Sequence, residues 1–428
     1  MIDIRMVRDD PAAVRAALGR RGVAGAEVDR LVGLDEAARS EIGRRDELRA
    51  QVKALSRQVG EARRDDETQR AEALAAESRT VGESERQAAD AADAAAEALR
   101  QALLYLPNLP SPGAPDGAGP EDNVVVRAWP SELPEYSEAQ RVPHWEVGSA
   151  LGILDMERGA KLSGSMFPLY RGTGARLLRA LTAFALDHHA DVFEEIRPPT
   201  MVRTETMVST GHLPKFADEA YHLERDDLWA IPTAEVPLTS MLRGDILAEG
   251  DLPLRFTAAT PCFRREAGAA GRDTRGLLRV HEFDKVELFA YATADQAPAL
   301  LEDMVGRAER LLTELGLAYR VLDLCAGDLG LSAARTFDIE VYAPGVDQWL
   351  EVSSVSWCTD YQARRANIRY RPEAGGSPVF VHTLNGSALA WARIWAALVE
   401  TGRQEDGSVE LPPALHPYLG GPTRIEAR

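Results

Sequence analysis

The chain has 428 residues, of which 45% are apolar and 27% are charged, and its formal net charge is -18. A chain of this length is expected to fold into two or three domains. The acidic balance argues against a protein that covers nucleic acid or binds an anionic membrane with its whole surface, although one local basic feature would be enough for phosphate contacts.

The cysteines and the N-terminal residues indicate the cellular compartment. Cys262, Cys325 and Cys358 are odd in number, lie far apart and form no Cys-x-x-Cys pair, which favours reduced thiols over a disulfide framework or a zinc ribbon. The start of the chain, MIDIRMVRDD, carries charges where a signal peptide has an apolar run. No apolar stretch approaches the roughly 20 residues of a membrane span. We therefore expect a cytoplasmic protein that does not bind a membrane.

Residues 1–105 are predicted to form a helical arm. The apolar positions of its first half are spaced 4-3-4, as in the seam of a coiled coil; they are Leu48, Val52, Leu55 and Val59. After the polar segment Gly60–Gln69 a seam of mostly small residues follows; it comprises Leu74, Ser78, Val81, Ala88, Ala92, Ala95 and Leu99. The pattern predicts two antiparallel helices of about 30 residues, each roughly 45 Å long. A solvated bundle or a dimerisation stalk is the alternative.

The charge of the arm is divided unevenly between its two helices. Residues 35–64 hold eight basic and six acidic side chains, whereas residues 65–104 hold four basic and ten acidic ones. If the arm binds a polyanion, the first helix is the better candidate, because its lysines and arginines can contact phosphates. The candidate residues are Arg45, Arg49, Lys53 and Arg57.

A linker separates the arm from the rest of the chain. Residues 106–120, LPNLPSPGAPDGAGP, contain five prolines and three glycines and cannot continue a helix. Residues 121–428 form the second domain, in which strands follow one another with few helices between them. This order favours an α+β architecture, an antiparallel sheet flanked by helices. Helices are predicted at Gly174–His188, Ala297–Glu314 and Ala388–Glu400. The predicted strands include residues 192–202, 228–238, 255–266, 276–292, 319–327, 336–344 and 349–358.

Residues 263–289, FRREAGAAGRDTRGLLRVHEFDKVELF, gather five arginines in an acidic chain. The pattern predicts two strands joined by a polar, glycine-rich loop that carries Arg272 and Arg275. Since side chains alternate along a strand, Arg264 and Glu266 would share one face. On the partner strand a shared face would be formed by Arg279, His281, Phe283, Lys285 and Glu287. Arginine fits phosphate oxygens and an aromatic ring can stack on a base; the alternative is a surface hairpin with solvated charges.

Other polar residues interrupt apolar segments of the second domain. Thr233 and Glu235 lie two residues apart on the predicted strand at 228–238, and Glu351 precedes Ser353 and Ser354 in another predicted strand. Carboxylates and hydroxyls in a sheet suit an ammonium group, a substrate hydroxyl or a divalent cation. A hydrogen-bonded structural carboxylate is the alternative at each position.

The last predicted helix contains a single charge. Its sequence from Ala388 to Val399, ALAWARIWAALV, is apolar on all faces and should be buried, and Arg393 is its only charged residue. A buried charge without a partner costs several kcal/mol, so Arg393 requires either a structural carboxylate or a ligand phosphate. Immediately before it, Asn385 and Ser387 in LNGS lie at the predicted helix start, where such residues are also ordinary caps.

With these residues in view, the chain resembles bacterial-type seryl-tRNA synthetases, which are class II aminoacyl-tRNA synthetases. The resemblance covers nearly the whole chain, from MIDIRMVRDDP to LPPALHPYLGG. It rests on the order and spacing of TAEVPLT, FRREAG, RGLLRVHEFDKVELF, EVSSVSWCTDYQARRANIRYR and HTLNGSALAWAR. It implies ATP-dependent activation of L-serine to seryl-adenylate and transfer of the seryl group to tRNA(Ser), with tRNA(Sec) as a further candidate. It also implies a homodimer, an antiparallel sheet and Mg²⁺.

The resemblance assigns roles to the residues that match these motifs. Arg264 would bind the α-phosphate, where charge develops in the transition state, and Arg393 would bind the γ-phosphate; these two are the catalytic candidates. Glu266 would meet the adenine edge, and Phe283 would stack on the adenine. Pro199 matches the motif that lies at the dimer interface in this class.

Whole sites are implied in the same way. The ATP site would consist of Arg264, Arg265, Glu266, Val280, Phe283, Glu351, Val352, Ser353, Ser354 and Arg393, and Glu351 and Ser354 would also bind Mg²⁺. The serine site would consist of Thr233, Ala234, Glu235, Arg264, Glu287, Asn385 and Ser387. Glu235 and Glu287 would hold the ammonium and the hydroxyl of serine, in an order that the motifs leave open. The helical arm and the loop residues Arg272 and Arg275 would contact the tRNA.

Two segments depart from the family pattern. The first arm helix reads ELRAQVKALSRQ, without the usual basic signature that contains asparagine and serine, and GSALAWAR lacks a second glycine. Three alternatives follow. The chain could be a specialised paralogue that supplies seryl-tRNA to a biosynthetic pathway or confers inhibitor resistance, a ligase that loads a carrier protein, or a non-catalytic nucleic-acid-binding protein on a synthetase fold.

Overall fold

A computed structural model describes residues 1–267 and 274–427, so the predicted loop residue Arg272 lies outside the described residues. The described chain divides into two compact units. The arm unit comprises Ile2–Leu106, and the sheet unit comprises Met1 together with Pro107–Arg428. None of the helices in the described ranges combines the length and the apolar character that a bilayer crossing needs.

The arm unit is a hairpin of two long helices preceded by two short ones. Its helices are α1 (Ile4–Asp9), α2 (Pro11–Gly19), α3 (Gly25–Arg64) and α4 (Thr68–Tyr105). The predicted coiled-coil hairpin is therefore confirmed, although α3 and α4 are longer than predicted, with 40 and 38 residues. Every predicted seam position is buried or half-buried, and Ala88 and Ala92 are the most deeply buried of them. Small residues there let the two backbones approach closely.

The sheet unit contains most of the strands and the shorter helices. Its described strands are β1 (Val124–Trp129), β2 (Glu194–Glu195), β3 (Met201–Arg203), β4 (His222–Leu223), β5 (Leu228–Ala230), β6 (Ile246–Ala248), β7 (Leu254–Phe263), β8 (Glu282–Ala292), β9 (Tyr319–Asp323), β10 (Arg335–Ala343), β11 (Gln348–Trp357), β12 (Arg369–Arg371), β13 (Val379–Phe380), β14 (His382–Ala390), β15 (Val409–Glu410) and β16 (Arg424–Ile425). Its described helices are α5 (His144–Leu151), α6 (Met156–Ser163), α7 (Thr173–His189), α8 (Thr204–Thr210), α9 (Glu235–Ser240), α10 (Ala297–Glu314), α11 (Tyr361–Ala366), α12 (Trp391–Thr401) and α13 (His416–Leu419).

The main sheet confirms the predicted α+β architecture. Its strand order is β1-β9-β10-β11-β14-β8-β7-β2. Neighbouring strands pair antiparallel, apart from the short edge strand β2, which lies parallel to β7. Helix α10 has the predicted bounds, and α7 exceeds its predicted range by one residue at each end.

The two faces of the sheet have different neighbours, as β8 illustrates. Val286 and Leu288 belong to the larger apolar core, which also contains residues of α7, α10 and α12. Phe289 points to the opposite face and packs with α9 and α11 in a second cluster. Because side chains alternate along a strand, Lys285 and Glu287 lie on the same face as Phe289. That face carries the candidate site.

The predicted strand at 228–238 is wrong in its second half. β5 ends before Pro232, which has no amide hydrogen to donate to a strand ladder. Helix α9 begins at Glu235, whose amide donates to the hydroxyl of Thr233 over 3.2 Å. Pro237 is tolerated in the first helical turn, where amide hydrogens have no partner within the helix.

The predicted strand at 276–292 is also too long, because residues 276–281 do not extend β8. The amide of Leu277 donates to Nε2 of His144 over 2.9 Å, and the amide of His281 donates to a carbonyl outside the sheet. Since these donors are engaged elsewhere, regular pairing begins only at Glu282. The predicted common face on this strand therefore applies only to the members from Phe283 onward.

The last helix begins three residues later than predicted. Residues 388–390 continue β14 alongside β8, and α12 begins at Trp391. The apolar residues of this segment are buried on all sides, so periodicity cannot separate the strand from the helix. Asn385 and Ser387 consequently lie on a strand and not at a helix start.

Two other predicted strands are interrupted or shortened. Residues 192–202 contain only the short strands β2 and β3, because Pro198 and Pro199 lie between them and cannot donate to a ladder. β7 ends at Phe263, so Arg264 and Glu266 follow the strand and do not share a strand face.

Candidate active site

A cavity of about 550 Å³ opens on the sheet face that carries Lys285 and Glu287. Its walls come from β8, β11 and β14, from the start of α9 and from the segment after β7. Most of the predicted serine residues and several predicted ATP residues line it, although they are scattered along the chain. The predicted residues in the lining are Thr233, Glu235, Arg264, Glu266, Glu287, Glu351, Ser354, Asn385 and Ser387.

A buried cluster at one end of the cavity joins a lysine to a carboxylate. Nζ of Lys285 lies 2.5 Å from Oε2 of Glu287 and donates to the hydroxyl of Thr233 over 2.9 Å. Thr233 in turn donates to the same Glu287 oxygen over 3.0 Å. All three residues are buried. The charge of Glu287 is therefore compensated by a cation of the protein itself.

Glu235 lies in the same part of the cavity but has neutral donors. Its Oε1 accepts from Nε2 of Gln362 over 2.6 Å and from Nδ2 of Asn385 over 3.1 Å. Gln362 is oriented by the hydroxyl of Thr383, which donates to its carbonyl oxygen over 2.7 Å. Burial, followed by the neighbouring Glu287 carboxylate, raises the pKa of Glu235 to about 7. A cationic ligand would stabilise the ionised form of this carboxyl group.

Two further residues of the predicted serine-binding site, Ser387 and Ala234, lie beside this cluster. Ser387 lies opposite Glu287 in the β8–β14 register, and its carbonyl accepts from the hydroxyl of Ser353 over 2.6 Å. Ser353 is buried and holds the backbone of β14 without lining the cavity. Ala234 is also fully buried and packs in the second cluster. Ser353 and Ala234 can therefore influence the cavity only through the residues that they contact.

Arg264 lines the cavity and contacts Phe283, which lies outside the lining. The Arg264 guanidinium carbon lies 5.2 Å from the centroid of the Phe283 ring, which is the geometry of a cation–π contact. The Arg264 amide is fixed by the carbonyl of His281 at 2.9 Å. The guanidinium itself is exposed at the cavity, whereas the neighbouring Arg265 points away from the lining.

Glu266 pairs with Arg279, a residue that the sequence pattern predicts to lie on a strand face. The two side chains form an ion pair, and both line the cavity. Glu266 adopts a left-handed backbone conformation with φ of 50°, which turns the chain immediately after Arg264. An unusual conformation of this kind in a non-glycine residue is typical of functional segments.

Arg393 is half-buried and donates to backbone carbonyls. Its Nε donates to Leu278 over 3.2 Å and its Nη1 to Glu351 over 2.6 Å. The predicted full burial of this charge is wrong, because the side chain reaches the surface of α12 beside Glu351. Within the described residues no carboxylate pairs with it, so a ligand phosphate remains the candidate anion.

Glu351 and Ser354 face β10, where Asp338 lies opposite Ser354 in the β10–β11 register. Burial, and then the Glu351 carboxylate, raise the pKa of Asp338 well above its ordinary value, and a hydrogen bond with Ser354 acts in the opposite direction. Oδ1 of Asp338 is buried without a hydrogen-bond partner among the described residues. The three side chains together form a set of oxygen donors.

The remaining predicted residues of the ATP site lie behind the cavity wall. Val280 and Val352 belong to the larger apolar core. Arg275, which was predicted to contact tRNA, also lies outside the lining, with its guanidinium carbon 5.0 Å from the Trp145 ring centroid. These positions can shape the site, but their side chains do not line it.

Several residues in the cavity lining or in contact with its residues were not predicted. Lys285 was noted on a strand face without a role, and Gln362 and Asp338 had no local pattern that marks them as functional. His212 also lines the cavity, accepts or donates a hydrogen bond with Thr210 at 2.8 Å, and has a pKa lowered to about 3, first by burial and then by nearby cations. Only Lys285 had a sequence signal, its position two residues before Glu287.

The arm residues predicted to bind tRNA follow one another at intervals of four on α3. Lys53, Arg49 and Arg57 are exposed, and Arg45 is half-buried. Arg49 forms an ion pair with Glu85 at 3.2 Å, and Arg57 approaches Glu61 at 3.9 Å. Exposed pairs of this kind are weak, so these cations can exchange partners for phosphates.

Comparisons with known proteins agree with this arrangement. Residues 219–402 match the family model described as the tRNA synthetase class II core domain (G, H, P, S and T). Residues 1–110 match the model described as the seryl-tRNA synthetase N-terminal domain. The antiparallel sheet with its polar cavity is thus the core of a class II aminoacyl-tRNA synthetase.

Relatives that match over the full length identify the family. A serine–tRNA ligase of Gemmatimonas aurantiaca is 50% identical over 426 residues, 98% of this chain and 99% of that protein. The crystal structure of seryl-tRNA synthetase from Pyrococcus horikoshii complexed with ATP has a TM-score of 0.91 and 35% identity, covering 100% of each chain. The cytoplasmic serine–tRNA ligase of Naegleria fowleri in complex with AMP has a TM-score of 0.87 and 26% identity, covering 100% of this chain and 99% of that one. The chain belongs to the seryl-tRNA synthetase family.

Proposed function

We propose that the chain activates L-serine with ATP to give seryl-adenylate and transfers the seryl group to tRNA(Ser). Family membership supports the overall reaction. The single observation that supports the site assignment is the cavity, whose lining combines buried carboxylates and hydroxyls with the exposed guanidinium of Arg264. The full-length match, including the arm, favours this reaction over carrier-protein loading or a non-catalytic role.

The contacts of the two buried glutamates suggest how their roles divide. Within the described residues Glu235 accepts hydrogen bonds from amides, so the serine ammonium would supply a cationic partner. Glu287 is already compensated by Lys285, so it would accept the serine hydroxyl instead. Asn385 and Ser387 would close this end of the site around the substrate. A pocket built to hydrogen-bond a hydroxyl discriminates strongly against analogues that lack one.

The nucleotide would occupy the part of the cavity beside Arg264. Arg264 would bind the α-phosphate, and Arg393 would bind the γ-phosphate through the part of its guanidinium that no carbonyl engages. Adenine would stack on Phe283, and Glu266 would meet its edge. The other predicted residues of the ATP site do not line the cavity and would not contact the phosphates, but they would support this region. They are Arg265, Val280, Val352 and Ser353.

The chemistry follows from these positions. A carboxylate oxygen of serine attacks the α-phosphorus, and the bond to pyrophosphate breaks. Arg264 stabilises the charge that develops on the α-phosphate, and Arg393 stabilises the leaving group. A ribose hydroxyl at the tRNA end then attacks the carbonyl carbon of seryl-adenylate, and AMP leaves.

Glu351 and Ser354 would hold Mg²⁺, with Asp338 beside them. Their carboxylate and hydroxyl oxygens are the ligands that Mg²⁺ prefers, and the unpartnered Oδ1 of Asp338 fits a nearby cation. When bound, Mg²⁺ neutralises phosphate charge. The protein's own contribution is to fix these oxygens on adjacent strands.

The arm would bind tRNA, and the sheet unit would form a homodimer. The stripe of Arg45, Arg49, Lys53 and Arg57 supports the first proposal, with Arg275 and Arg272 as further candidates and tRNA(Sec) as a further substrate. The second is supported by the edge strand β2, which is exposed and precedes Pro199 by four residues in the chain. Sedimentation equilibrium would test it: a mass near twice the 46.7 kDa of one chain supports a dimer, and a mass of one chain contradicts it.

Serine-dependent exchange of pyrophosphate into ATP tests the activation step. We expect exchange that depends on serine and exceeds a control without amino acid. Charging of tRNA(Ser) and tRNA(Sec) transcripts tests the transfer step in parallel. Exchange without charging would contradict the transfer step, and absence of serine-dependent exchange would contradict the activation step.

A further inference from the structure

Lys285 is a buried cation at the serine end of the cavity, and the proposed reaction leaves it without a role. It lies on β8 two residues before Glu287 and therefore shares its face. Its Nζ contacts Oε2 of Glu287 at 2.5 Å and Oγ1 of Thr233 at 2.9 Å. The lysine is only 6% exposed, so its charge is compensated by the protein more than by bulk water.

The two carboxylates at this end therefore differ in charge balance. Glu287 together with Lys285 forms a pair without net charge. Among the described residues, Glu235 receives hydrogen bonds from the amides of Gln362 and Asn385, and Lys285 and Arg264 act on it without a hydrogen bond. One carboxylate without a cationic partner matches one ligand ammonium. A second ligand cation would meet the ammonium of Lys285 instead of a free carboxylate.

This difference sets which side chains the site accepts. We propose that Lys285 is a specificity-determining residue that makes Glu287 an acceptor for a neutral hydroxyl and excludes amino acids with a cationic side chain of the same length. The proposal rests on the proposed assignment of this end of the cavity to serine. The excluded class is represented by L-2,3-diaminopropionate, in which an ammonium replaces the hydroxyl of serine.

Like charges at contact distance in a buried site repel strongly, whereas removal of one member of a buried ion pair leaves the other without compensation. If Lys285 lost its charge, Glu287 would become a second uncompensated carboxylate. The site would then favour a ligand with two ammonium groups. The native site would thus select serine by repulsion from the Lys285 ammonium as well as by attractive contacts, and the substitution would remove that repulsion.

The test measures pyrophosphate exchange with serine and with L-2,3-diaminopropionate, at a pH at which the side-chain amine is protonated. For Lys285→Met and Lys285→Gln we expect the ratio of kcat/KM for diaminopropionate to that for serine to rise about tenfold or more. Gln retains a hydrogen-bond donor, so it keeps the test valid if the Met variant does not fold. Lys285→Arg is the matched control, since it retains the charge and should retain the preference for serine.

A double variant separates charge from packing. Lys285→Met combined with Glu287→Gln removes both members of the pair, so the ratio should return towards the native value. If Lys285→Gln lowers activity with both amino acids by the same factor, Lys285 is only structural and the proposal is overturned. If the native enzyme shows no exchange with serine, the proposed function is wrong. This result differs from that of a purely structural Lys285, for which the native enzyme exchanges with serine.

Discussion

The two ends of the cavity differ in how their charges are balanced. At the proposed serine site, Lys285, Thr233 and Glu287 form a buried cluster in which the lysine and the threonine both contact Oε2 of Glu287. At the proposed nucleotide site, Arg264 is exposed and contacts an aromatic ring, while Arg393, outside the cavity lining, donates to two carbonyls. Under the proposed assignment, the first group would bind a small, nearly neutral ligand, and Arg264 and Arg393 would bind the phosphates of the second.

This contrast explains why one cavity can hold two different substrates. Serine is small, and its recognition depends on a few buried hydrogen bonds whose loss is costly. ATP is highly charged, and its recognition depends on cations that protein carboxylates do not neutralise. Substitutions at the two ends should therefore change different kinetic parameters.

The largest effect is expected at the nucleotide end. Arg264→Ala removes the cation nearest to the position assigned to the α-phosphate, so kcat for exchange should fall by about 10²–10³-fold. The measurement is serine-dependent pyrophosphate exchange at saturating ATP. Arg243→Ala, which removes an exposed arginine outside the cavity, is the control and should leave kcat unchanged. An unchanged kcat in Arg264→Ala would contradict the assignment.

The next effect concerns Mg²⁺. Glu351→Gln removes the negative charge of a proposed ligand, so the Mg²⁺ concentration that gives half-maximal exchange should rise by about 10–100-fold. Mn²⁺ binding followed by electron paramagnetic resonance gives a readout that does not depend on turnover. Glu302→Gln on α10 is a control at an exposed carboxylate. If metal affinity is the same in both variants, Glu351 is not a ligand.

A smaller effect is expected from the arm. Replacing Arg45, Arg49, Lys53 and Arg57 by alanine should raise the KM for tRNA about tenfold or more, because fewer phosphates are neutralised. Pyrophosphate exchange, which needs no tRNA, should not change. The matched control removes four arginines from α4, at Arg70, Arg79, Arg86 and Arg100. If both sets raise the KM equally, α3 is not the specific tRNA-binding face.

The smallest effect is a pH dependence at the serine end. Burial and Glu287 raise the pKa of Glu235 to about 7, so this carboxyl group is protonated as the pH falls below 7 and loses its attraction for an ammonium. The KM for serine should therefore rise about fivefold between pH 7 and pH 6. In Glu235→Gln, the KM should be high at every pH in this range. A native KM that is flat across it would contradict the assigned role.

Much of the fold could be predicted from local patterns. The 4-3-4 seam of α3 predicted the helical hairpin, because helix periodicity is carried by neighbouring residues. The strand at 276–292 was placed correctly from Glu282 onward but was extended too far. No local pattern signals that the amide of Leu277 donates to His144, more than a hundred residues away in the sequence. The ends of strands were predicted wrongly where hydrogen bonds to residues distant in the sequence determine them.

The site was predicted in a similar, partial way. Motif resemblance selected Glu235 and Glu287, but it could not divide their roles. That division depends on Gln362 and Lys285, whose contacts arise only when β8, α9 and α11 come together. Asp338 was missed for the same reason, because its proximity to Ser354 follows from strand register.

The central claim is that Glu235 is the uncompensated carboxylate and Glu287 the compensated one. A crystal structure with a non-hydrolysable analogue of seryl-adenylate would test it most directly. We predict that the ligand ammonium lies within hydrogen-bond distance of Glu235, that its hydroxyl lies on Glu287, and that Lys285 keeps its contact with Glu287. An ammonium bound to Glu287, with Lys285 displaced, would contradict the claim.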